Sequence, residues 1–287
     1  MSQHTVKSFQ EELDALAANI AQMGGLTEAQ LAASIEAVVR RDTQLAERTI
    51  REDQRIDTLE ADIEAHAIRM IALRQPMAAD LREAIAAIKI SIDLERIGDL
   101  AKNIAKRAMV VQNDFEGANR LIQGISRMGR LAQRQLKHVL DAYSSREAQA
   151  AMEVWRDDEE IDAMYNSVFR ELLTYMMEDP RNITFSTHLL FAAKNIERVG
   201  DHATNIAETI YYLAKGEPLR EVEMMPHATL TPGERMASSS SPCAWTGAPM
   251  AISGAPSIEI KACTLPAAGS TCRLTCTPWA ERKSTGT

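Results

Sequence analysis

DLERIGDLAKNIAK, residues 93–106, recurs as NIERVGDHATNIAE at residues 195–208. The two stretches agree at eight of fourteen positions and lie 102 residues apart. A shorter pair lies upstream of each, where REDQRID at 51–57 resembles RDDEEID at 156–162. A period near 100 residues indicates two similar helical bundles rather than a solenoid of short units.

Both stretches have the spacing of an amphipathic helix. Apolar residues recur at intervals of three and four: Leu94, Ile97, Ala101, Ile104 and Ala108 in the first, and Ile196, Val199, Ala203, Ile206 and Ile210 in the second. Similar patterns fill the rest of each half, with breaks at Pro76 and Pro180. The predicted fold is all-α, with two tandem three-helix bundles at residues 1–112 and 113–216.

Breaker and capping residues predict where the helices begin and end. Gly24-Gly25 predicts a pause in the first helix, with Thr27 as the N-cap of the segment that follows. The second helix is expected over residues 42–73. In the second half Ser145 is expected to cap the middle helix, and Gly216 to end the last one.

The composition changes sharply near residue 217. All four cysteines and eight of the ten prolines lie beyond it. Runs such as MASSSSPCAWTGAPM predict a disordered tail over residues 217–287. Cys272 and Cys276 have no second pair or nearby histidine to complete a metal site. The tail also fits translation in a shifted reading frame, a hypothesis that the coding DNA decides.

Charge and composition bound the function. The net charge of -8 argues against nucleic acid as the main partner and suits cations or basic protein surfaces. The amino terminus is polar and acidic, unlike a signal peptide, and no run approaches the ~18 apolar residues of a membrane span. A body without cysteine suits a reducing compartment, so we expect a cytoplasmic protein.

Acidic residues four apart precede each proline break and follow it at nearly the same distance. Asp57 lies 19 residues before Pro76, and Glu95 lies 19 residues after it. In an antiparallel hairpin, with a rise of about 1.5 Å per residue, such residues come level. Each hairpin is therefore expected to bring four carboxylates together: Asp53, Asp57, Glu95 and Asp99 in the first, and Asp158, Asp162, Glu197 and Asp201 in the second.

These carboxylates are predicted to face away from the apolar stripe, on an open surface. Clustered like charges repel one another, and a cation would remove the penalty. With the amides of Asn103 and Asn205 one turn further on, the oxygen donors suit hard or borderline ions such as Mg, Mn, Ca or iron. We predict a metal site on each hairpin. An ordinary solvated acidic face is the alternative interpretation.

Neighbouring residues allow two readings each. Gly98 and Gly200 would leave the acidic face unobstructed, although close packing of helices explains a glycine equally well. Arg96 and Arg198 are expected to neutralise nearby carboxylates rather than to bind a ligand. His202, beside Asp201, could join a metal site or be an ordinary surface histidine.

The doubled ER-x-GD-x-A-x-NIA phrase, the D-x-x-x-D pairs upstream and the two three-helix halves resemble the PhoU family over residues 3–216. The resemblance implies that the acidic motifs bind iron, zinc or other cations, as they do in some members of the family, while other members have no metal. It also implies a cytoplasmic homodimer that represses the phosphate-starvation response by coupling the transporter ATPase PstB to the sensor histidine kinase PhoR. Such a protein would meet the membrane only through these partners. The tail beyond about residue 220 departs from the family pattern.

Other protein classes are less well matched. A di-iron carboxylate enzyme needs Glu-x-x-His pairs inside a bundle, and none of the six histidines has a glutamate three residues before it. No glycine-rich phosphate loop or paired nucleophile and base indicates a hydrolase or transferase. We therefore predict that the protein is not an enzyme. The alternative function is a metal-independent helical scaffold with no role in phosphate physiology.

Overall fold

The structure is a computed structural model that describes residues 3–74, 76–111 and 118–219. These residues form helices and short connections, with no β-strand among them. The tail from residue 220 onward, with Cys272 and Cys276, lies outside the described residues. Within the described ranges, no helix has the length and apolar character needed to cross a membrane. The helices are α1 (Gln3–Arg40), α2 (Thr43–Glu52), α3 (Gln54–Arg74), α4 (Ala79–Ala108), α5 (Ala118–Ser145), α6 (Ala148–Glu178) and α7 (Ile183–Lys215), with a 3₁₀ turn at Pro180–Asn182.

The two halves follow one plan. In the first half α1 packs with α2, α3 and α4, and in the second half α5 packs with α6 and α7. The expected second helix is divided at Asp53, which keeps helical dihedral angles (φ -54°, ψ -39°), so α2 and α3 together take the place that α6 has in the second half. The predicted all-α architecture, with three helical arms per repeat, is confirmed.

One hydrophobic core joins the repeats. Helices α4 and α7, which carry the doubled phrase, pack against each other, and α1 packs against α5. The apolar stripes predicted for both phrases are buried, and Leu94, Ile97, Ile196 and Val199 have no exposed surface. The acidic residues therefore project from helices whose opposite faces are fixed in the centre of the molecule.

The predicted pause at Gly24-Gly25 is wrong, because α1 continues through both residues. Gly24 permits a close contact between helices: a Cβ added there would lie 2.5 Å from Cδ2 of Leu140 on α5. The second repeat makes the reciprocal contact, since a Cβ on Gly129 would lie 2.7 Å from Cδ1 of Ile35 on α1. In each repeat a glycine therefore leaves space for a side chain of the other repeat, Leu140 beside Gly24 and Ile35 beside Gly129.

Two predicted caps are also wrong. Thr27 lies inside α1, where its hydroxyl donates to the carbonyl of Met23 at 2.9 Å. Ser145 ends α5 rather than beginning α6, and its hydroxyl donates to Ala142. The C-cap at Gly216 is confirmed by its left-handed conformation, φ 78°. A serine or threonine hydroxyl can donate to a carbonyl of the preceding turn as well as cap a helix. The residue type therefore does not by itself predict which role Thr27 and Ser145 have.

Candidate functional site

The expected meeting of carboxylates on each hairpin is confirmed. We call Asp53, Asp57, Glu95 and Asp99 the first acidic cluster, and Asp158, Asp162, Glu197 and Asp201 the second acidic cluster. Burial, and then the repulsion of Asp99, Asp57 and Glu60, raises the pKa of Glu95. Burial likewise raises the pKa of Asp158, with repulsion from the other three members of its cluster. Charges that perturb one another in this way lie close together in the folded chain.

The expectation of a fully open face is wrong for part of each cluster. Asp53 is 3% exposed, so it lies in the interior. The Glu197 side chain is 13% exposed, and Asp158 is also half-buried. Asp162 and Asp201 are exposed, as predicted. The inner aspartate of each cluster is buried or half-buried because a neighbouring helix, α1 in the first repeat and α5 in the second, packs over it. That helix also supplies a polar partner to the aspartate.

That partner is a glutamine in both repeats. The Gln30 amide on α1 donates to Oδ1 of Asp53 at 2.9 Å, and the Gln135 amide on α5 donates to Oδ1 of Asp158 at 3.1 Å. Both glutamines are buried. Among the described residues, the Oε1 atom of each has no hydrogen-bond partner. This role of the glutamines was not predicted from the sequence, although both glutamine–aspartate pairs share one signal, a separation of 23 residues.

The two glycines of the doubled phrase pack closely against these amide–carboxylate pairs. A Cβ on Gly98 would lie 3.2 Å from Oε1 of Gln30. A Cβ on Gly200 would lie 2.5 Å from Oδ1 of Asp158 and 3.2 Å from Oε1 of Gln135. Close packing therefore explains the glycines, and the position is tighter in the second repeat.

Lys102 neutralises the first acidic cluster from within. Its Nζ lies 2.5 Å from Oδ2 of Asp53 and 2.5 Å from Oδ1 of Asp99. Although burial opposes it, hydrogen bonding to these two carboxylates raises the pKa of Lys102 above its usual range. Arg96 adds a weaker contact, with Nε 3.4 Å from Oε2 of Glu95, in agreement with its predicted neutralising role.

The second acidic cluster has a different environment. Thr204 takes the position of Lys102 in the repeat, and its hydroxyl donates to the Asp201 carbonyl on its own helix at 2.6 Å. Lys194 pairs with Glu197 at 2.5 Å from the outer side and lies over the ring of Tyr165. Burial, partly offset by the Gln135 hydrogen bond, raises the pKa of Asp158 to about 6.

The predicted amide ligands have other contacts. Asn103 accepts a hydrogen bond from Lys106 at 3.2 Å. Asn205 donates to Oδ1 of Asp93 at 3.4 Å, and Nδ1 of His202 lies 2.9 Å from the same oxygen. Asn205 and His202 therefore link α7 to α4 of the other repeat.

Metal binding at the predicted ligands stays a prediction. In residues 3–74, 76–111 and 118–219, no three His, Cys, Asp or Glu side chains are arranged as a ready metal site. In the second acidic cluster, all four residues supply oxygen donors, and an unpartnered Gln135 oxygen lies beside Gly200. That chemistry fits a hard cation better than the first cluster does, where an ammonium group lies between two of the carboxylates.

Comparison with known proteins gives a family match in both halves. The PhoU domain matches residues 20–108 and again residues 125–210. The phosphate-specific transport system accessory protein PhoU homolog of Caulobacter vibrioides is 56% identical over 219 residues, covering 76% of this chain and 95% of that protein. The homolog of the same name in Rhizobium meliloti is 55% identical over 213 residues, covering 74% and 90%.

Two crystal structures have the same fold. PhoU from Pseudomonas aeruginosa superimposes with a TM-score of 0.69 at 38% identity, covering 73% of this chain and all of that one. The phosphate transport system regulatory protein PhoU from Streptococcus pneumoniae gives a TM-score of 0.68 at 29% identity, covering 74% and 99%. The similarity thus extends over nearly the full length of these relatives.

Proposed function

The chain belongs to the PhoU family, and we propose that it regulates phosphate transport as an accessory protein of a phosphate-specific transport system. The observation that carries the proposal is the match in both repeats to proteins named for that role, over 95% of the Caulobacter vibrioides relative. The function is regulatory rather than catalytic. The protein acts by holding partners together and not by transforming a substrate.

The finer part of the proposal concerns partners. The protein forms a homodimer in the cytoplasm and couples the transporter ATPase PstB to the histidine kinase PhoR. When phosphate is plentiful, this coupling keeps the phosphate-starvation response repressed. Support comes from the family resemblance and from a negative net charge that suits basic patches on other proteins.

Deletion of the gene tests the regulatory role. A strain with a phosphatase reporter, grown in high phosphate, should show raised reporter activity after deletion and return to the low level when the chain is supplied from a plasmid. In a strain that lacks the histidine kinase as well, reporter activity should stay low, because the kinase is needed to activate the response. Unchanged reporter activity in the single deletion contradicts the proposal.

We further propose that the second acidic cluster binds multivalent cations, iron, zinc, Mg or Mn among them. The support is the crowding of its four carboxylates, which a cation would relieve. This cluster fits a cation better than the first, because its lysine contact, Lys194 with Glu197, involves one carboxylate and does not bridge the two helices. Here Glu197 and Asp201 would hold the ion, which would supply positive charge and order the hairpin.

Metal analysis of purified protein tests this proposal. Glu197→Ala with Asp201→Ala should lower the bound metal content, whereas Glu208→Ala, on the same helix beyond the cluster, should leave it unchanged. Equal metal content in the cluster variant and the wild type would show that these carboxylates are ordinary surface charges.

A further inference from the structure

The ammonium group of Lys102 lies in a partly buried position, where an unpaired charge would lower the stability of the fold. This group contacts both a buried aspartate, Asp53, and a half-buried one, Asp99, each at 2.5 Å. The lysine side chain itself is only 23% exposed. An ammonium group held between two carboxylates on adjacent helices hydrogen-bonds to both and offsets one of their two negative charges without any external ion.

The other repeat provides an internal comparison. The doubled phrase places Thr204 where the first repeat has Lys102, while glutamate, glycine, aspartate and asparagine are the same in both copies. Thr204 carries no charge and bonds to its own helix. The two clusters therefore share carboxylate spacing and differ in how a lysine contacts them: Lys102 bridges carboxylates on two helices, whereas Lys194 pairs with Glu197 on its own helix.

We infer that Lys102 is the resident cation of the first acidic cluster, so that this cluster is closed to metal ions and only the second is open to them. This inference rests on the proposed cation binding for the second cluster only. At the first cluster it is an alternative to the sequence-based prediction of a metal site at Asp53, Asp57, Glu95, Asp99 and Asn103.

The reason is competition for the same oxygens. A divalent ion entering between α3 and α4 must displace the ammonium group or bind beside it, against repulsion between like charges. Displacement leaves a lysine without its two partners, and binding beside it leaves Asp53 unavailable as a ligand. Arg96 adds a second positive charge at the rim, next to Glu95.

Exchanging the two residues tests the inference with Mn²⁺ as the probe. The number of Mn²⁺ ions bound per chain is measured by titration calorimetry and by the electron paramagnetic resonance signal of free Mn²⁺. We expect Lys102→Thr to bind one more ion than the wild type, with about tenfold or greater gain in affinity at the first cluster. Adding Asp53→Asn and Asp99→Asn to Lys102→Thr should remove that extra ion. Thr204→Lys should lower binding at the second cluster.

Matched controls make the result specific. Lys106→Thr removes a lysine one turn further along α4, where it donates a hydrogen bond to Asn103, and should add no ion. Circular dichroism checks that each variant is folded. Should Lys102→Thr fold poorly, Lys102→Gln keeps the length and polarity of the side chain and is expected to give the same extra ion.

The difference between Lys102→Thr and the wild type decides the inference, whereas the wild-type count decides the proposed cation binding. The inference is overturned if Lys102→Thr and Lys102→Gln bind no more ions than the wild type. It is also overturned if the wild-type protein loses an ion on Glu95→Ala with Asp99→Ala, since the first cluster would then be open already. A wild type that binds no ion, with one ion gained in Lys102→Thr, upholds the inference and contradicts the proposed cation binding.

Discussion

In the first acidic cluster an ammonium group lies 2.5 Å from Asp53 and from Asp99, whereas the corresponding residue of the second cluster, Thr204, bonds to its own helix. The framework around both is the same. A glutamine from the first helix of each repeat holds the inner aspartate, and a glycine from the last helix leaves room for the pair. The two repeats thus share the glutamine, aspartate and glycine positions and differ in the residue next to the outer aspartate, Lys102 in one and Thr204 in the other.

The outer edges of the two clusters differ as well. On α3 the acidic surface continues through Glu60, whose pKa is raised, first by burial and then by Glu64. On α6 the equivalent residues are Tyr165 and Phe169, with ring centroids 6.2 Å apart. The first cluster is therefore a continuous band of charge with an internal lysine, and the second is a smaller group of carboxylates beside aromatic rings.

The largest difference should follow from removing Lys102. Lys102→Met keeps the apolar stem but leaves the buried Asp53 without its charged partner, so we expect a loss of about 2 to 3 kcal/mol in the free energy of unfolding. Urea denaturation of metal-free protein measures the change. Thr204→Met, the equivalent substitution in the second repeat, should change stability by less than about 0.5 kcal/mol. Equal losses at the two positions would show that Lys102 is an ordinary surface lysine.

The second largest effect concerns Asp158 and pH. Its pKa of about 6 lies above the 3.8 of an unperturbed aspartate, so between these values the folded state holds more protons than the unfolded state. Stability therefore falls as pH rises from about 4 to about 6, and then stays low. After allowance for partial exposure, the cost at neutral pH is about 2 kcal/mol.

Asp158→Asn removes this titration, so the metal-free variant should be more stable than the wild type at pH 8 and lose that advantage near pH 4. Thermal melts in chelator across this range measure the difference. Glu159→Gln, at the exposed position next to Asp158 on α6, serves as the control. A variant whose advantage is the same at every pH would disprove the assigned titration.

A smaller difference is expected between the two glycines. In Gly200→Ala the new methyl group would lie 2.5 Å from Oδ1 of Asp158, and it must push that carboxylate away from Gln135. We expect a net loss of about 1 kcal/mol, after a helix-propensity gain of similar size. The nearest contact for Gly98→Ala is 3.2 Å, so that variant should be close to neutral in the same denaturation assay. The reverse order would contradict the packing described here.

The smallest effect separates the outer aspartates. Asp201→Asn removes one of several like charges, so the metal-free protein should gain a few tenths of a kcal/mol. Asp99→Asn removes a partner of Lys102 and should give no gain or a small loss. Differential scanning calorimetry at low salt resolves the sign. A gain of equal size from both substitutions would show that the Lys102 contact contributes nothing to stability.

Much of the fold follows from local pattern. The apolar stripes of α4 and α7, the breaks at Pro76 and Pro180, and the terminal Gly216 were all predicted from the residues themselves. The level of the carboxylates was predicted as well, because helical rise is constant and counting from a proline turn fixes the height. These features depend on residues close together in the chain.

Other features depend on which helices meet. Gly24 resembles a break in sequence, yet it allows Leu140 of the other repeat to pack closely. Gln30 has no feature in the sequence that marks it as buried, yet it lies in the interior, bonded to Asp53. In both cases the contacting residue is far away in the sequence, so the spacing of neighbouring residues does not predict the contact.

By itself the sequence determined two repeats of three helical arms and four carboxylates at one height on each hairpin. Only the tertiary structure decided how these charges are balanced, because Lys102 gains its role from a contact with Asp53, 49 residues away. Helical periodicity arises from backbone geometry, so the order of apolar and polar residues along a short segment is enough to predict it. Charge compensation depends on distances between side chains of different helices, and those distances exist only once the helices have packed.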